Sequence, residues 1–210
     1  MLSPVWVWRV SLGAEAPEGA GDVCALDAEE RRRYEAFRFE ADRRRFLLSH
    51  LALRRILGGG VRFERDPRGK PRLQGGELRF NLSHSGSLAL VAVSRDCEVG
   101  VDVEQVRRNV KVELVARRFF APGEMATLQG LSEPARTEAF FRCWVRKEAY
   151  LKAAGTGLTD ALREIDAGQM PGWSIADLEV PPGYVAAVAA PRPQLAVRLC
   201  DWRGEAFSPF

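Results

Sequence analysis

The chain has 210 residues, of which 46% are hydrophobic and 28% charged, so it can bury the core of one large domain or two small ones. No stretch reaches the roughly 18 apolar residues that span a bilayer and no secretory leader is recognisable, so we expect a cytoplasmic protein without a membrane segment. A net charge of +3, four widely spaced cysteines and only two histidines argue against a duplex-DNA-binding protein, a disulfide framework and a zinc site.

The N-terminal part of the chain predicts one strand and two helices. Residues 5–12 alternate as an entry strand does, and the Gly-, Pro- and Glu-rich residues 13–22 predict a loop. Asp27, with Glu30 three residues later, is an N-cap pattern that begins a helix. We expect this helix to break near residues 39–42.

The second helix has the clearer amphipathic pattern. It ends at the glycine run 58–60, and its apolar positions are Phe46, Leu47, Leu51, Ile56 and Leu57. Short strands are predicted at 61–64 and 78–82, and a strongly apolar strand at 88–94 precedes the segment CEVGVDVE at 97–104. We expect these last two strands to form an antiparallel hairpin across the tight turn RDCE.

The second half of the chain repeats this mixture of helices and strands. The pattern predicts helices at 111–119, from Pro122 and over 133–153, and strands at 163–166, 173–179, 184–190 and 195–201. The whole chain is therefore predicted to be an α+β protein of two similar lobes, a pseudo-dimer in which each lobe is a small antiparallel sheet packed with helices. We place the lobes at residues 1–98 and 99–210 and expect the active site at their junction, where ligand clefts are common.

Two carboxylates lie two residues apart in the strand CEVGVDVE. Asp102 and Glu104 therefore project from the same face, while the valines at 99, 101 and 103 anchor the opposite face in a core. A solvent-facing strand edge would explain the two acids equally simply. A rigidly held pair of carboxylates, however, is what a metal site requires.

The segment WVRKEAYLK supplies a third carboxylate on a helix. Trp144, Glu148 and Lys152 fall on one stripe at helical spacing, with Lys147 beside it. Glu148 could be an ordinary surface residue paired with Lys152. If the helix packs on the carboxylate strand, three carboxylates and two lysines converge, and this set can hold a divalent cation such as Mg²⁺ together with a polyphosphate.

The segment NLSHSG, residues 81–86, predicts an anion-binding turn. Its hydroxyls, imidazole and backbone N–H groups suit a phosphate. Ser83 and His84 are adjacent, and no nucleophile elbow surrounds them, which argues against a serine hydrolase. In the segment RGKPRL, Lys70 precedes Pro71, whose ring restricts the backbone of the lysine.

Arginines are concentrated in the first third of the chain, at 31–33, 43–45 and 54–55. Such clusters suit an anionic ligand or an acidic partner protein, although a solvated helix face would also explain them. The clusters lack interleaved exposed aromatic residues, because Phe37, Phe39 and Phe46 are predicted core positions, and single-stranded nucleic acid would need such stacking surfaces.

Four of these motifs, in this order and at these separations, resemble those of the 4′-phosphopantetheinyl transferase superfamily in its long, surfactin-synthetase-activator type. They are GKP at 69–71, NLSHSG at 81–86, VGVDVE at 99–104 and W-x-x-K-E-A-x-x-K at 144–152. The resemblance implies a monomeric enzyme of the holo-acyl-carrier-protein synthase type. Such an enzyme transfers the phosphopantetheine arm of coenzyme A to a serine of an acidic acyl or peptidyl carrier protein, with Mg²⁺ or Mn²⁺ as cofactor, and does not act on nucleic acid or membranes.

The resemblance also implies a role for individual residues. Asp102, Glu104 and Glu148 match the metal ligands. Glu148 matches the general base as well, Lys152 a contact to the transferred phosphate, and Glu124 a supporting acid. The residues that match coenzyme A contacts are Arg33, Arg45, Lys70, Pro71, Ser83 and His84.

The chain departs from the family pattern at two positions. Val145 replaces a Ser, Thr or Cys, and Glu30 stands where a relative has a basic residue. Neither change removes a proposed ligand. Two other functions remain open at this point, a catalytically idle coenzyme A or nucleotide-binding module and a nucleic-acid-binding protein that uses the arginine clusters; the presence of all three carboxylates favours the transferase.

Overall fold

A computed structural model of the chain describes residues 3–13, 22–108, 110, 112–157, 160–168 and 170–204. The predicted loop at 13–22 therefore lies almost wholly outside the described residues. The helices are α1 (Ala28–Ala36), α2 (Glu40–Ile56), α3 (Val112–Phe119), α4 (Pro122–Gln129) and α5 (Ala135–Ala154). The strands are β1 (Val5–Ser11), β2 (Phe63–Arg65), β3 (Pro71–Leu73), β4 (Arg79–Ser85), β5 (Leu88–Ser94), β6 (Gly100–Gln105), β7 (Ser174–Asp177), β8 (Tyr184–Ala190) and β9 (Val197–Asp201).

The predicted capping pattern begins α1. The Asp27 side chain accepts from the backbone N–H groups of Glu29 and Glu30, and the Glu30 carboxylate accepts from the Asp27 N–H in return. These bonds satisfy N–H groups that a helix N-terminus leaves without partners. The chain then turns at residues 37–39, slightly before the predicted break near 39–42, and α2 ends at Ile56, just ahead of the glycine run 58–60 with its positive φ angles.

Two separate sheets form the centre of the molecule. The first has the strand order β4-β5-β1-β9, with β9 parallel to β1 and the other pairs antiparallel. The second is antiparallel, with the order β6-β8-β7. The β2–β3 hairpin stands apart from both. This architecture confirms the predicted α+β class with two lobes.

The alternation of side chains along the strands builds a layered core. In β1, Trp8 and Val10 face α2, whereas Val5 and Val7 face the second sheet. In β6, Val101 and Val103 face the first sheet, and the alternate residues face α5. The order of layers is thus α2, first sheet, second sheet, α5, and the acidic face of β6 is turned toward α5.

The structure overturns four of the sequence-based expectations about local structure. Strands β5 and β6 do not form a hairpin, because β1 and β4 already occupy both edges of β5. NLSHSG is not a turn but most of β4. The strand predicted at 163–166 is not formed, because residues 160–164 are a 3-10 helix, and Phe39 is exposed.

The last strand also departs from its predicted place in the second lobe. Strand β9 pairs with β1 and so returns to the first sheet. The division at residues 98 and 99 remains a prediction, and it falls in the connection between β5 and β6, where the chain passes from one sheet to the other. Within the described part of the chain, no helix is both long and apolar enough to cross a membrane.

Candidate active site

The candidate site lies between β6 and α5, which approach each other unusually closely at Gly100. A Cβ atom built on Gly100 would lie 2.0 Å from the carbonyl oxygen of Ala149 and 2.4 Å from the backbone nitrogen of Ala153. No larger residue fits there without displacing the helix. Because glycine has no side chain, α5, which carries Glu148 and Lys152, can pack directly against β6, which carries Asp102 and Glu104.

Asp102 lies at the centre of this contact and is only 4% exposed. Its Oδ1 atom accepts hydrogen bonds from Ser83 Oγ at 2.8 Å and from Lys152 Nζ at 2.6 Å. Its Oδ2 atom is buried and finds no hydrogen-bond partner among the described residues. A buried carboxylate oxygen without a partner is costly, so it is a position where a bound cation would lower the free energy.

Glu104 and Glu148 are half-buried and share the electrostatic surroundings of Asp102. Burial, followed by the negative charge of Asp102, raises the pKa of Glu148, and Glu104 adds to this rise while Lys152 opposes it. Burial likewise raises the pKa of Glu104, with Ser85 acting in the opposite direction and Asp102 in the same one. The three carboxylates thus repel one another, and their joint role as metal ligands stays a prediction.

Only one of the two lysines predicted at this site is there. Lys152 bonds to Asp102 and, at 3.0 Å, to Ser83 Oγ. Lys147 is instead fully buried on another side of α5, where it donates to the Leu162 and Ile165 carbonyls and pairs with Glu124 at 2.8 Å. The expectation that both lysines surround the carboxylates was therefore wrong for Lys147.

Glu124 also lies away from the carboxylate group. One of its oxygens bonds to Lys147 and to the Ala121 N–H, and the other accepts from the Ala167 N–H at 2.9 Å. Its carboxylate thus joins α4, α5 and the segment after residue 160. This arrangement is structural support for α5.

The donor set fits a hard divalent cation. Asp102, Glu104 and Glu148 offer carboxylate oxygens, which Mg²⁺ and Mn²⁺ prefer, and the partnerless Oδ2 of Asp102 belongs to this set. In the described part of the chain, no three His, Cys, Asp or Glu side chains are already grouped as metal ligands. Instead, the Lys152 ammonium is the cation that Asp102 contacts.

The residues of β4 divide between two faces. Ser83 and Ser85 face β6, where Ser85 Oγ donates to Glu104 Oε2 at 2.8 Å. His84 points to the opposite face of β4. Ser83 and His84 are adjacent in sequence, but in a strand their side chains lie on opposite sides, so adjacency alone does not bring both to one phosphate. Of the two, only His84 lies on the side of α1 and α2.

A cavity of about 450 Å³ opens on that opposite face of β4. Three of the predicted coenzyme A contacts, Arg33, Pro71 and His84, line it, together with apolar side chains that include Phe63 and Phe80. The lining combines these apolar side chains with charged side chains of both signs, so it can accept a ligand that has both apolar and charged parts.

Three basic side chains act on His84, which lines this cavity. Loss of hydration lowers the pKa of His84, and the charges of Lys152, Arg45 and Arg33 lower it further. Three cations that repel a proton from one imidazole would also attract a phosphate. Arg45 itself forms an ion pair with Asp42 at 2.9 Å.

The side chains of Lys70 and Pro71 lie in different surroundings. Its ammonium is nearly buried, bonds to Glu98 at 2.8 Å and donates to the carbonyls of Val99 and Ala153. It thereby ties the β2–β3 hairpin to the strand connection and to the end of α5. The structure places this side chain outside the large cavity, so Pro71 alone of the pair lines it.

The two departures from the family pattern have structural explanations. Val145 is fully buried in the core around α5, so a hydroxyl or thiol there would not face the carboxylates. Glu30 caps α1 and forms a buried ion pair with Arg54 at 2.6 Å. Its carboxylate is therefore already compensated.

Sequence reasoning missed two residues that shape the site, Gly100 and Ser85. A glycine inside an apolar strand is a known signal of close backbone approach, and it could have identified Gly100. Nothing in the sequence revealed that Ser85 contacts Glu104, because the packing of β4 against β6 follows only from the tertiary structure.

Comparison with known proteins gives a consistent family assignment. Residues 98–187 match the model of the 4′-phosphopantetheinyl transferase superfamily, and residues 20–96 match that of the 4′-phosphopantetheinyl transferase N-terminal domain. The chain is 37% identical to the 4′-phosphopantetheinyl transferase HetI of Nostoc sp. over 206 residues, which cover 88% of this chain and 86% of that protein. It is 39% identical to the 4′-phosphopantetheinyl transferase psf-1 of Bacillus pumilus over 150 residues, which cover 66% of this chain and 62% of that protein.

A more distant relative comes from an animal. The chain is 29% identical over 181 residues to the L-aminoadipate-semialdehyde dehydrogenase-phosphopantetheinyl transferase of Xenopus laevis, and the match covers 76% of this chain and 60% of that protein. The similarity thus extends across both sheets of the fold.

Proposed function

The chain belongs to the 4′-phosphopantetheinyl transferase superfamily, and we propose that it transfers the 4′-phosphopantetheine arm of coenzyme A to a serine hydroxyl of an apo acyl or peptidyl carrier protein. The second product is adenosine 3′,5′-bisphosphate. One observation carries the proposal: Asp102, Glu104 and Glu148 repel one another beside Lys152 where β6 meets α5, and the buried Oδ2 atom of Asp102 has no hydrogen-bond partner in the described part of the chain.

Asp102, Glu104 and Glu148 would hold Mg²⁺ or Mn²⁺ through their carboxylate oxygens. The partnerless Oδ2 atom of Asp102 supports this assignment. When bound, the ion neutralises charge on the pyrophosphate of coenzyme A and so favours breakage of the anhydride.

Glu148 is our candidate for the general base. In the proposed step, the serine oxygen forms a bond to the phosphorus on the pantetheine side, the anhydride P–O bond breaks, and the bisphosphate leaves with the electron pair. The serine proton passes to the Glu148 carboxylate. Without a bound ion, burial and the negative charge of Asp102 raise the pKa of Glu148, so these protein groups favour proton uptake by its carboxylate.

Lys152 and the basic residues near His84 would bind the phosphates of coenzyme A. We assign Lys152 to the transferred phosphate, and Arg33, Arg45 and His84 to the phosphate on the adenosine side, with Pro71 against the adenine. Lys70 and Ser83 act indirectly in this proposal, since the Lys70 ammonium is bonded to Glu98 and the Ser83 hydroxyl to Asp102. Glu124 supports α5 through Lys147.

The proposed partner is an acidic carrier protein, which a chain of net charge +3 would attract. We propose that a monomer is the active form, because the carboxylates and the basic residues of the site come from one chain. We also retain the division into lobes of residues 1–98 and 99–210 as part of this proposal.

The test is to incubate the protein with coenzyme A, Mg²⁺ and a panel of apo carrier proteins and to weigh each carrier by mass spectrometry. We expect a mass gain of one phosphopantetheine group on the carrier serine, and none when EDTA is in excess. Undiminished transfer in EDTA would contradict the metal assignment. Failure to modify any carrier, with coenzyme A bound, would favour a binding module without catalysis.

A further inference from the structure

Side chains join the two sheets where backbone hydrogen bonds do not. Strands β4 and β6 lie side by side but belong to different sheets. Three β4 side chains at alternate positions accept hydrogen bonds from alternate N–H groups of β6. The bonds run from Val101 N to Asn81 Oδ1 (2.9 Å), from Val103 N to Ser83 Oγ (3.4 Å) and from Gln105 N to Ser85 Oγ (3.1 Å).

The two serines of this row each make a second bond, which points to a carboxylate. Ser83 Oγ lies 2.8 Å from Asp102 Oδ1, and Ser85 Oγ lies 2.8 Å from Glu104 Oε2. A hydroxyl has one proton and two lone pairs. Because the backbone N–H occupies a lone pair, the proton is left to point at the carboxylate. The same backbone bond that sets the register of β6 thus aims the hydroxyl.

We propose that Ser85 is a positioning residue for Glu104. Ser85 is 6% exposed and directs its hydroxyl to Glu104 and the β6 backbone. It fixes the Oε2 atom of Glu104, whereas the Oε1 atom has no hydrogen-bond partner among the described residues and can meet a cation. Ser83 makes the corresponding hydrogen bond to Asp102 but also contacts Lys152. A substitution of Ser85 is therefore simpler to interpret than one of Ser83.

This inference rests on the proposed function, because it assumes that Glu104 binds the metal. A hydrogen bond to a metal-binding carboxylate orients it, and loss of such a bond typically weakens metal binding by 10- to 100-fold. A purely structural serine would behave differently. Its loss would lower stability without a selective effect on a metal.

The experiment measures Mn²⁺ affinity of the full chain by the electron paramagnetic resonance signal of free Mn²⁺, without carrier protein. We expect Ser85→Ala to weaken Mn²⁺ binding by about 10- to 100-fold and Ser85→Thr, which keeps the hydroxyl, to bind nearly as the wild type does. Ser94→Ala is the matched control, because Ser94 is a buried serine of the adjacent strand β5 whose hydroxyl contacts Cys97. Its Mn²⁺ affinity should not change.

A double-mutant cycle separates positioning from structural support. In a Glu104→Gln background, Ser85→Ala should cause no further loss of Mn²⁺ affinity, since the residue through which it acts is already altered. An equal loss in both backgrounds, or wild-type affinity in folded Ser85→Ala, would overturn the inference. If Ser85→Ala does not fold, Ser85→Cys, of similar shape but a weak donor, replaces it with the same expectations.

Failure of the positioning role of Ser85 can be distinguished from failure of the proposed transferase function. If the wild type transfers phosphopantetheine while Ser85→Ala binds Mn²⁺ normally, only the inference fails. If Ser85→Ala weakens Mn²⁺ binding but the wild type modifies no carrier, only the proposed reaction fails. A wild type that binds no Mn²⁺ would overturn the positioning role outright.

Discussion

The ammonium of Lys152 lies 2.6 Å from Asp102 Oδ1, and the Asp102 side chain is only 6% exposed. The ion pair compensates one oxygen of this carboxylate, whereas the other oxygen has no partner in the described part of the chain. Lys152 therefore holds together a site that would otherwise contain three uncompensated negative charges. A divalent cation bound at Asp102 would compete with this ammonium and release it toward a phosphate.

We predict that Lys152→Met destabilises the metal-free protein. A buried carboxylate that loses its partner typically costs 3–5 kcal/mol, but Lys152 is 29% exposed, so we expect a loss of about 1–3 kcal/mol in the free energy of unfolding. Mg²⁺ should restore more stability to the variant than to the wild type, because no ammonium competes. Chemical denaturation with EDTA or with Mg²⁺ measures both.

A surface ion pair provides the control for this variant. Arg142 and Glu138 are 48% and 54% exposed, so Arg142→Met should change stability by less than about 1 kcal/mol. Equal metal-free stability of Lys152→Met and the wild type would show that the ion pair does not stabilise the site.

Gly100→Ala should disrupt the site without altering any of its polar groups. The new Cβ would lie 2.0 Å from the Ala149 carbonyl oxygen, so α5 must move away from β6 and carry Glu148 and Lys152 with it. We expect a loss of more than about 2 kcal/mol in stability and a large fall in kcat/KM. Thermal unfolding and the carrier transfer assay measure the two effects.

Gly123→Ala is the matched control for this substitution. Gly123 lies in α4, where the nearest atom to a new Cβ would be 3.8 Å away, and alanine favours a helix over glycine. Its stability should stay the same or rise slightly. Wild-type transfer by folded Gly100→Ala would contradict the view that the close approach positions the site.

Much of the fold follows from local patterns. Strand β8 lies at residues 184–190, as predicted, because its unbroken apolar run is buried on both faces. The capping box of α1 and Pro122 at the start of α4 are likewise local signals that the structure confirms. Side-chain alternation and helical spacing also indicated which side chains share a face of β6 and of α5, but that these two faces meet was only a condition of the prediction.

The remaining features depend on long-range contacts. The sequence between β5 and β6 is typical of a tight hairpin, yet the edges of β5 are taken by β1 and β4. Lys147 directly precedes Glu148 and so points to a different side of α5 from Lys152, where it pairs with Glu124. Tertiary packing decides which carboxylate pairs with a buried lysine, and the spacing of residues along the helix does not identify that carboxylate.

His50 should make the folded protein sensitive to mild acid. Burial, supported by the charges of Arg33, His84 and Arg54, lowers its pKa to about 4, although its bond to the Phe46 carbonyl opposes this. Between pH 6.5 and about 4 the unfolded chain binds a proton that the folded chain does not, so stability falls as the pH falls. The full loss is about 3 kcal/mol, at 1.36 kcal/mol for each pH unit.

The measurement compares the free energy of unfolding of the wild type and His50→Gln across this pH range. The variant lacks the titrating imidazole, so its stability should fall less steeply with decreasing pH, even if it is less stable at pH 7. Identical slopes for the two proteins would contradict the prediction.

Carrier binding should weaken as salt is added. The net charge of +3 would attract an acidic carrier over a distance that ionic screening shortens to about 8 Å at physiological salt. We expect the KM for the carrier to rise with NaCl at saturating coenzyme A. A KM independent of salt would argue against electrostatic docking.

Glu148 and Glu124 should respond in opposite ways to replacement by glutamine. Glu148→Gln removes a charge that is repelled by Asp102 and Glu104, so metal-free stability should stay the same or rise, while transfer falls by at least about 100-fold if the residue is the base.

Glu124→Gln leaves the fully buried Lys147 ammonium without its counter-charge. Breaking such a pair typically costs about 3–5 kcal/mol, whereas kcat per folded molecule should change little. Denaturation curves and carrier mass spectrometry on both variants decide the roles, and a fully active Glu148→Gln or an undiminished stability of Glu124→Gln would reverse the assignment.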